Sequence, residues 1–340
     1  MKLTRREFLR TASLTAGAMS TSSTLLGSTL EALSGDVTES PPGGKSRVVI
    51  GRCASLFDNV RRVDRKSANE LVTRSIQALT DQKDSRESWR SLFAPKDVVG
   101  IKVNCIGKRA LSSQVEIVES VVEGLSSIGV KRIIVWDRLD EELEAAGFTL
   151  RTSGGPYACF GTNHRGVGFS RRLLIQGEIG SLFSRILTEY CTAIINVPVM
   201  KDHDLAGVTG AMKNNFGVIH NPNKYHFDPL HRALADLNTM DHIRGKTRLI
   251  VCDASRIIYN GGPAFKPQWT DWFGGVVMSR DPVATDAVSW RMIEQRRRTR
   301  GLPTLTEAER KPEYIELASK PPYRLGNSNE SDIERVELEL

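Results

Sequence analysis

The sequence lacks most of the short signatures that mark a known chemistry. Its five cysteines, Cys53, Cys105, Cys159, Cys191 and Cys252, are so dispersed that the nearest pair lies 32 residues apart. No Cys-x-x-Cys occurs, which excludes ferredoxin-type cluster ligation by this chain. The odd number leaves at least one thiol unpaired, and Cys191 and Cys252 sit in apolar runs that read as buried. There is no Gly-x-x-x-x-Gly-Lys-Ser/Thr, Gly-x-Gly-x-x-Gly, Gly-x-Ser-x-Gly or His-Glu-x-x-His. Phosphate-loop, dinucleotide, hydrolase-elbow and zincin readings therefore have no support. Aromatics make up 6%, and the basic residues are not gathered into a tract with interleaved aromatics. That excludes a nucleic-acid footprint. The apolar segment near the start is broken by polar residues, so no stable transmembrane segment is expected.

What is present is ordinary in bulk. The 340 residues are 40% hydrophobic and 26% charged, enough for a sizeable core. The formal charge is +7, of which Lys2, Arg5, Arg6 and Arg10 against Glu7 and Glu31 supply part, leaving about +5 beyond residue 34. Such a mild excess suits an anionic ligand or a solvated surface equally. The stretch Thr4-Arg5-Arg6-Glu7-Phe8-Leu9-Arg10 resembles the twin-arginine export signal, and a weakly apolar Ala/Leu/Ser/Thr/Gly segment follows it. Residues 1–34 are thus expected to be a signal peptide, with the twin-arginine export machinery as partner and the periplasm as destination. Residues 35–46, rich in Gly, Pro and Ser, read as a linker. Residues 47–340 read as an α/β domain, single or in two lobes.

Periodicity predicts strands at 47–51, 98–103, 131–136, 193–199, 248–252, 275–279 and, as an edge, 333–338. Helices are predicted at 69–79, 113–128, 181–190, 208–216, 229–237 and from Asp281-Pro282 through 296, the last with Asp as N-cap and Pro at the first helical position. The strand–helix–strand order over 98–136 predicts a parallel βαβ unit. The fold expected is α/β, a mostly parallel or mixed sheet flanked by helices in Rossmann-like layers.

In such sheets a ligand sits beyond the carboxyl ends of the strands. Lys102 and Asn104, Asp137 and Arg138, Lys201 to Asp204, Asp253 and Ser255, and Ser279 to Asp281 all follow predicted strands. The densest cluster is NVPVMKDHDLAGVTGAMKNNFG, residues 196–217. After Pro198 an extended chain turns Lys201 and His203 to one side and Asp202 to the other. Thr209 is the expected N-cap of the following helix. Lys213, Asn214 and Asn215 then fall in its first turns, where free N–H groups favour an anion. Lysines from strand and helix would clamp a carboxylate or phosphate, with His203 as general base or metal ligand. His220, Lys224 and His226 follow in a short loop. Tyr259-Asn260-Gly261-Gly262-Pro263 reads as a turn or a close ligand approach, and Asp286 on the helix after Asp281 either faces the site or solvent.

These same residues carry a resemblance. Lys102-Val103-Asn104, Val197 to His203, Thr209 to Gly217, Lys224 and His226, Ala235 to Asn238, Asp253-Ala254, Gly262-Pro263 and Ser279 to Ala287 together resemble the "domain of unknown function 362" family. The resemblance spans most of the chain after residue 46. It implies an α/β domain without a settled activity. Some members carry ferredoxin-type iron–sulfur modules, whose cysteines this chain lacks, and an export signal is common among them.

Three functions are consistent with the residues. The first is an exported enzyme acting on a small anionic ligand, a carboxylate or a phosphate. Lys201, His203 and Lys213 would be catalytic, with Lys102, Asn104, Asn214, Asn215 and Lys224 binding the ligand. A divalent metal held by His203, His226 and Asp253 is the cofactor considered for it. The second is a periplasmic binding or accessory protein with the same pocket and no turnover. The third, an iron–sulfur redox protein, is disfavoured by the cysteine spacing.

Overall fold

Alternation along each strand decides the layers. Val48 and Ile50 pack into one hydrophobic cluster while Val49 packs into another. Ile194 opposes Ala193 and Ile195 in the same way, as Cys252 and Ala254 oppose Leu249 and Val251, and Val277 opposes Val276 and Met278. A strand apolar on both faces belongs in the centre of a sheet covered by helices on both sides.

A computed structural model describes residues 44–340. The signal segment 1–34 and most of the 35–46 linker lie outside the described residues. The chain runs β1 (Ser46–Arg52), α1 (Arg65–Thr80), α2 (Ser85–Arg90), β2 (Val98–Lys102), α3 (Val115–Ser127), β3 (Arg132–Trp136), α4 (Asp140–Ala146) and β4 (Ala158–Cys159). It continues through β5 (Leu174–Gln176), β6 (Ile179–Ser181), β7 (Ala193–Asn196), β8 (Val199–His203), β9 (Gly207–Thr209), α5 (Ala211–Asn214), α6 (Leu230–Thr239) and α7 (Asp241–Arg244). Last come β10 (Thr247–Ile258), β11 (Thr270–Asp271), β12 (Gly275–Ser279), α8 (Pro282–Thr299), α9 (Glu313–Ser319) and β13 (Ile333–Glu339).

The main sheet is ordered β13-β1-β12-β10-β7-β2-β3-β4. The run β10-β7-β2-β3-β4 is parallel, and β12 is antiparallel to both β1 and β10, so the sheet is mixed as expected. The predicted βαβ unit is β2-α3-β3, in register from Val98↔Arg132 to Lys102↔Trp136. The helices α1, α2 and α3 cover the face carrying Val49, Val99 and Ile101. The helices α6, α8 and α9 cover the other. Each fully buried Val, Ile or Leu contributes on the order of 1.5–3 kcal/mol.

Three expectations are corrected. Only Ile186–Tyr190 of the predicted 181–190 helix is helical, as a π-turn. Leu182 O and Ser184 N instead pair with His220 N and Val218 O, and this long-range pairing overrides local periodicity. Val208 lies in a β8–β9 hairpin, with Lys201↔Thr209 and His203↔Gly207 paired, and the following helix has only four residues. Finally, β10 extends to Ile258, because its second half pairs with β8 after its first half has paired with β7.

Candidate functional site

The carboxyl ends of β2, β3 and β7 lie side by side. Register sets Lys102 opposite Trp136 on one flank and Asn196 on the other. Pro198 then ends β7, and β8 carries the chain over this edge. Asp202, on the back of β8, accepts hydrogen bonds from Gly262 N at 2.7 Å and Arg310 Nη1 at 3.1 Å. That anchorage turns Lys201 and His203 to the opposite side, as the extended spacing predicts.

The short helix α5 supplies the facing wall, and its N-terminus is already occupied. The Asp286 carboxylate of α8 accepts from Ala211 N and Met212 N. The residue at the cap is Gly210, and a Cβ there would stand 2.1 Å from Asp286 Oδ1, so glycine lets the carboxylate reach the amides. The expected N-cap role of Thr209 and the expected ligand anion at this helix end are both corrected. The protein's own carboxylate sits where the anion was placed.

Asn214 is the centre of a buried amide network. Its Nδ2 donates to Asn196 Oδ1 at 2.7 Å, and its Oδ1 accepts from Asn104 Nδ2 at 3.0 Å. Asn104 Oδ1 in turn accepts from Lys201 Nζ at 3.0 Å. Lys102 Nζ donates to Asp137 Oδ1 and to Val103 O, both at 2.7 Å. Gly217 leaves room for that pair, since a Cβ there would meet Lys102 Nζ at 2.8 Å.

These groups line one cavity of ≈ 310 Å³, at the lower end of small-molecule sites. Its wall includes Lys102, Asn104, Lys201, His203, Thr209, Lys213, Asn214 and His226, with Asp137 and Glu142 on one flank. The structure therefore brings together Lys102, Asn104, Lys201, His203, Lys213, Asn214 and His226. It does not bring Asn215, Lys224 or Asp253. Asn215 Nδ2 donates to Asn238 Oδ1 at 2.7 Å, inside the fold. Lys224 Nζ turns away to Gly180 O at 2.6 Å. Asp253 is held by Gln114 N at 2.7 Å and Ser255 N at 2.9 Å and does not line the cavity. The expected metal triad of His203, His226 and Asp253 is thus not assembled, and no group of three metal-ligating side chains occurs among the described residues.

The electrostatics divide the cavity. Lys201, 1% exposed, and Lys213, 7% exposed, make no ion pair with a carboxylate among the described residues. Burial, then repulsion from Lys201, pushes Lys213 down to about 7, against the attraction of Asp204. Burial pushes Lys201 down to about 8, against the attraction of Asp137. Lys213 Nζ lies 2.9 Å from His226 Nε2, while His226 Nδ1 faces Pro222 O at 3.1 Å. The carbonyl fixes the proton on Nδ1 and leaves Nε2 as an acceptor toward the lysine. Burial, then Lys213 and His226, push His203 down to about 3. Its Nδ1 accepts from Leu205 N at 3.1 Å, leaving Nε2–H as the free donor. Asp204 Oδ1 also lies 2.8 Å from that Nδ1 and would favour a charged ring, but Asp204 is 63% exposed and cations surround the imidazole. The neutral ring prevails.

Two functional groups escaped the assignment from sequence. Asp137 was recognised as a strand-end residue, but nothing along the chain pairs it with Lys102. Thr209 Oγ1, at a residue 4% exposed, has no hydrogen-bond partner among the described residues and lies on the cavity wall. Period-2 alternation around Lys201 would have found it only with the hairpin register known.

No curated protein matches the chain. A crystal structure of a Thermotoga maritima protein, determined by the Northeast Structural Genomics Consortium, is similar at 11% identity and a TM-score of 0.42. The match covers 71% of this chain and 60% of that one, so this chain spans well under two thirds of its length. The model for "Domain of unknown function (DUF362)" matches residues 99–291, more than half of the chain, and the chain belongs to this family.

Proposed function

We propose that the protein is an enzyme acting on a small carboxylate- or phosphate-bearing molecule bound at Lys201 and Lys213. One observation carries this reading. Among the described residues, two buried lysines without a direct carboxylate ion pair face the same cavity, beside a buried threonine hydroxyl without a hydrogen-bond partner. An uncompensated buried ammonium is costly, and an anion arriving between two of them relieves that cost. Lys102 has a different role: with Asp137 as partner it holds β2, β3 and α5 together. His203 serves as a neutral hydrogen-bond donor, and the proton-accepting position belongs to Lys213 with His226.

Anion binding returns both lysines toward their ordinary value of 10.5. Binding therefore takes up protons, and affinity falls as pH rises through about 7 and then about 8. Thermal-shift titrations with inorganic phosphate, pyruvate and lactate at pH 6 and pH 9 check this. The expected outcome is a larger shift at the lower pH that is lost in Lys213→Met. Equal shifts in parent and variant would overturn the assignment. A binding protein without turnover would use the same cavity, but binding alone does not call for the Lys213–His226 pair.

The twin-arginine-like stretch supports a periplasmic location as part of this proposal. Arg5→Lys together with Arg6→Lys is expected to retain the protein in the cytoplasm on cell fractionation, and unchanged export would refute it.

A further inference from the structure

We propose that Lys213 forms an imine with a small 2-oxo acid, whose carboxylate is held by Lys201 and the Thr209 hydroxyl. This rests on the anion-binding reading above and goes further by naming the reacting atom and the substrate class.

The three lysines of the cavity differ in what their Nζ touches. Lys102 Nζ meets the Asp137 carboxylate at 2.7 Å and is engaged within the fold. Lys201 Nζ meets the Asn104 amide oxygen at 3.0 Å, an acceptor that stabilises the ammonium and takes no proton. Lys213 Nζ alone meets a nitrogen lone pair, His226 Nε2 at 2.9 Å. That lone pair is oriented by the contact of Nδ1 with Pro222 O at 3.1 Å. Lysine, proton acceptor and orienting carbonyl thus form the sequence of groups that activates an amine nucleophile. The depressed proton affinity of Lys213 agrees with this geometry.

The substrate class follows from the remaining groups. Lys201 and Thr209 are paired residues on neighbouring strands of the β8–β9 hairpin, so ammonium and hydroxyl project from one patch. Thr209 Oγ1 is buried without a partner among the described residues, and a carboxylate oxygen would supply one. In the proposed complex the carboxylate sits on that patch and the adjacent carbonyl carbon meets Lys213, which lines the same cavity. A cavity of ≈ 310 Å³ suits a molecule of that size.

The step balances without a redox partner. Lys213 ammonium passes a proton to His226 Nε2, and its lone pair forms a C–N bond to the keto carbon. The carbonyl π pair moves to oxygen, with His203 Nε2–H on the same cavity wall as a donor, and His226 returns to that oxygen the proton it took from the ammonium. The carbinolamine nitrogen, still carrying two protons, gives one to His226, which passes it to the hydroxyl as that group leaves as water and the nitrogen lone pair closes the C=N bond. Ammonium and ketone become protonated imine and water.

The test uses the full chain with pyruvate at neutral pH, followed by borohydride, intact-mass measurement and peptide mapping. Thermal shifts with pyruvate and with lactate, which lacks the keto group, are recorded alongside. The expected result is a permanent mass gain equal to pyruvate minus water plus two hydrogens, mapped to Lys213 and absent from Lys213→Arg. Mapping in the parent protein keeps the proposal testable even if that variant fails to fold. Shifts with both acids but no reduced adduct would overturn the imine and leave anion binding standing. Neither shift nor adduct would overturn both. An adduct of equal yield in Lys213→Arg, or one mapped only to exposed lysines, would also overturn the imine.

Discussion

The two ends of the cavity treat buried positive charge in opposite ways. At one end Lys102 has a full complement: Asp137 and a backbone carbonyl at 2.7 Å, with Asn214 behind. At the other, Lys201 and Lys213 hydrogen-bond only to neutral acceptors among the described residues, Asn104 and His226, and the carboxylates of Asp137 and Asp204 act on them only at longer range. A charge satisfied within the fold contributes to holding it, and a charge left unsatisfied is available to a ligand. The helix end at the cavity wall falls on the satisfied side. The α5 N-terminus, which resembles an anion site in sequence, is filled by Asp286.

The sharpest way to break this division is to remove one partner at each end. Asp137→Ala leaves Lys102 buried and unpaired and is expected to cost about 3–5 kcal/mol in chemical denaturation. Lys213→Met strands no carboxylate and is expected to leave stability unchanged or raised. That gain should be greatest below pH 7, because the folded protein's Lys213 titrates at about 7 against an ordinary 10.5. Equal losses in the two variants would dissolve the distinction. Next in size, Gly217→Ala pushes a methyl against Lys102 Nζ and is expected to cost about 1–3 kcal/mol by the same measurement. Asp286→Ala removes the acceptor of the α5 amides, an expected loss of about 1–2 kcal/mol.

Asp286 also carries a pH signature. Burial raises its carboxyl from the ordinary 3.8 to about 7. The folded state then holds the proton more tightly than the unfolded one, so this group's contribution to stability declines as pH rises from about 4 to about 7. Asp286→Asn should flatten that part of the stability profile while keeping an acceptor for α5. The smallest expected effect is Lys224→Ala, within about 0.5 kcal/mol and without change in the pyruvate or phosphate shift, because its ammonium reaches Gly180 O outside the cavity.

Much of this arrangement was legible along the chain, and the remainder depends on what folds across it. The strands that lead to Lys102 and Asp137 could be read from apolar runs, the run 193–199 divides into β7 ending at Asn196 and the start of β8, and Lys201 with His203 could be read from two-residue spacing. The Asn214 and Lys213 wall followed from their place beyond a buried strand. Asn215 and Lys224 went astray because neighbours in sequence on a tight turn point in different directions, toward Asn238 and Gly180. Asp253 failed as a ligand because β10 runs on past it, paired with β8, and two backbone amides claim its carboxylate. The Asp286 cap joins residues more than seventy positions apart, and no local pattern encodes such a contact.

In the free protein Lys213 is a buried amine without a direct anionic partner among the described residues. An NMR titration of the Lys213 side chain, with Lys213→Met to assign the signal, measures this directly. The predicted midpoint is about 7 in the free protein, rising toward the ordinary 10.5 when phosphate or lactate occupies the cavity. A free-protein midpoint near 10.5, unmoved by either anion, would contradict the central claim.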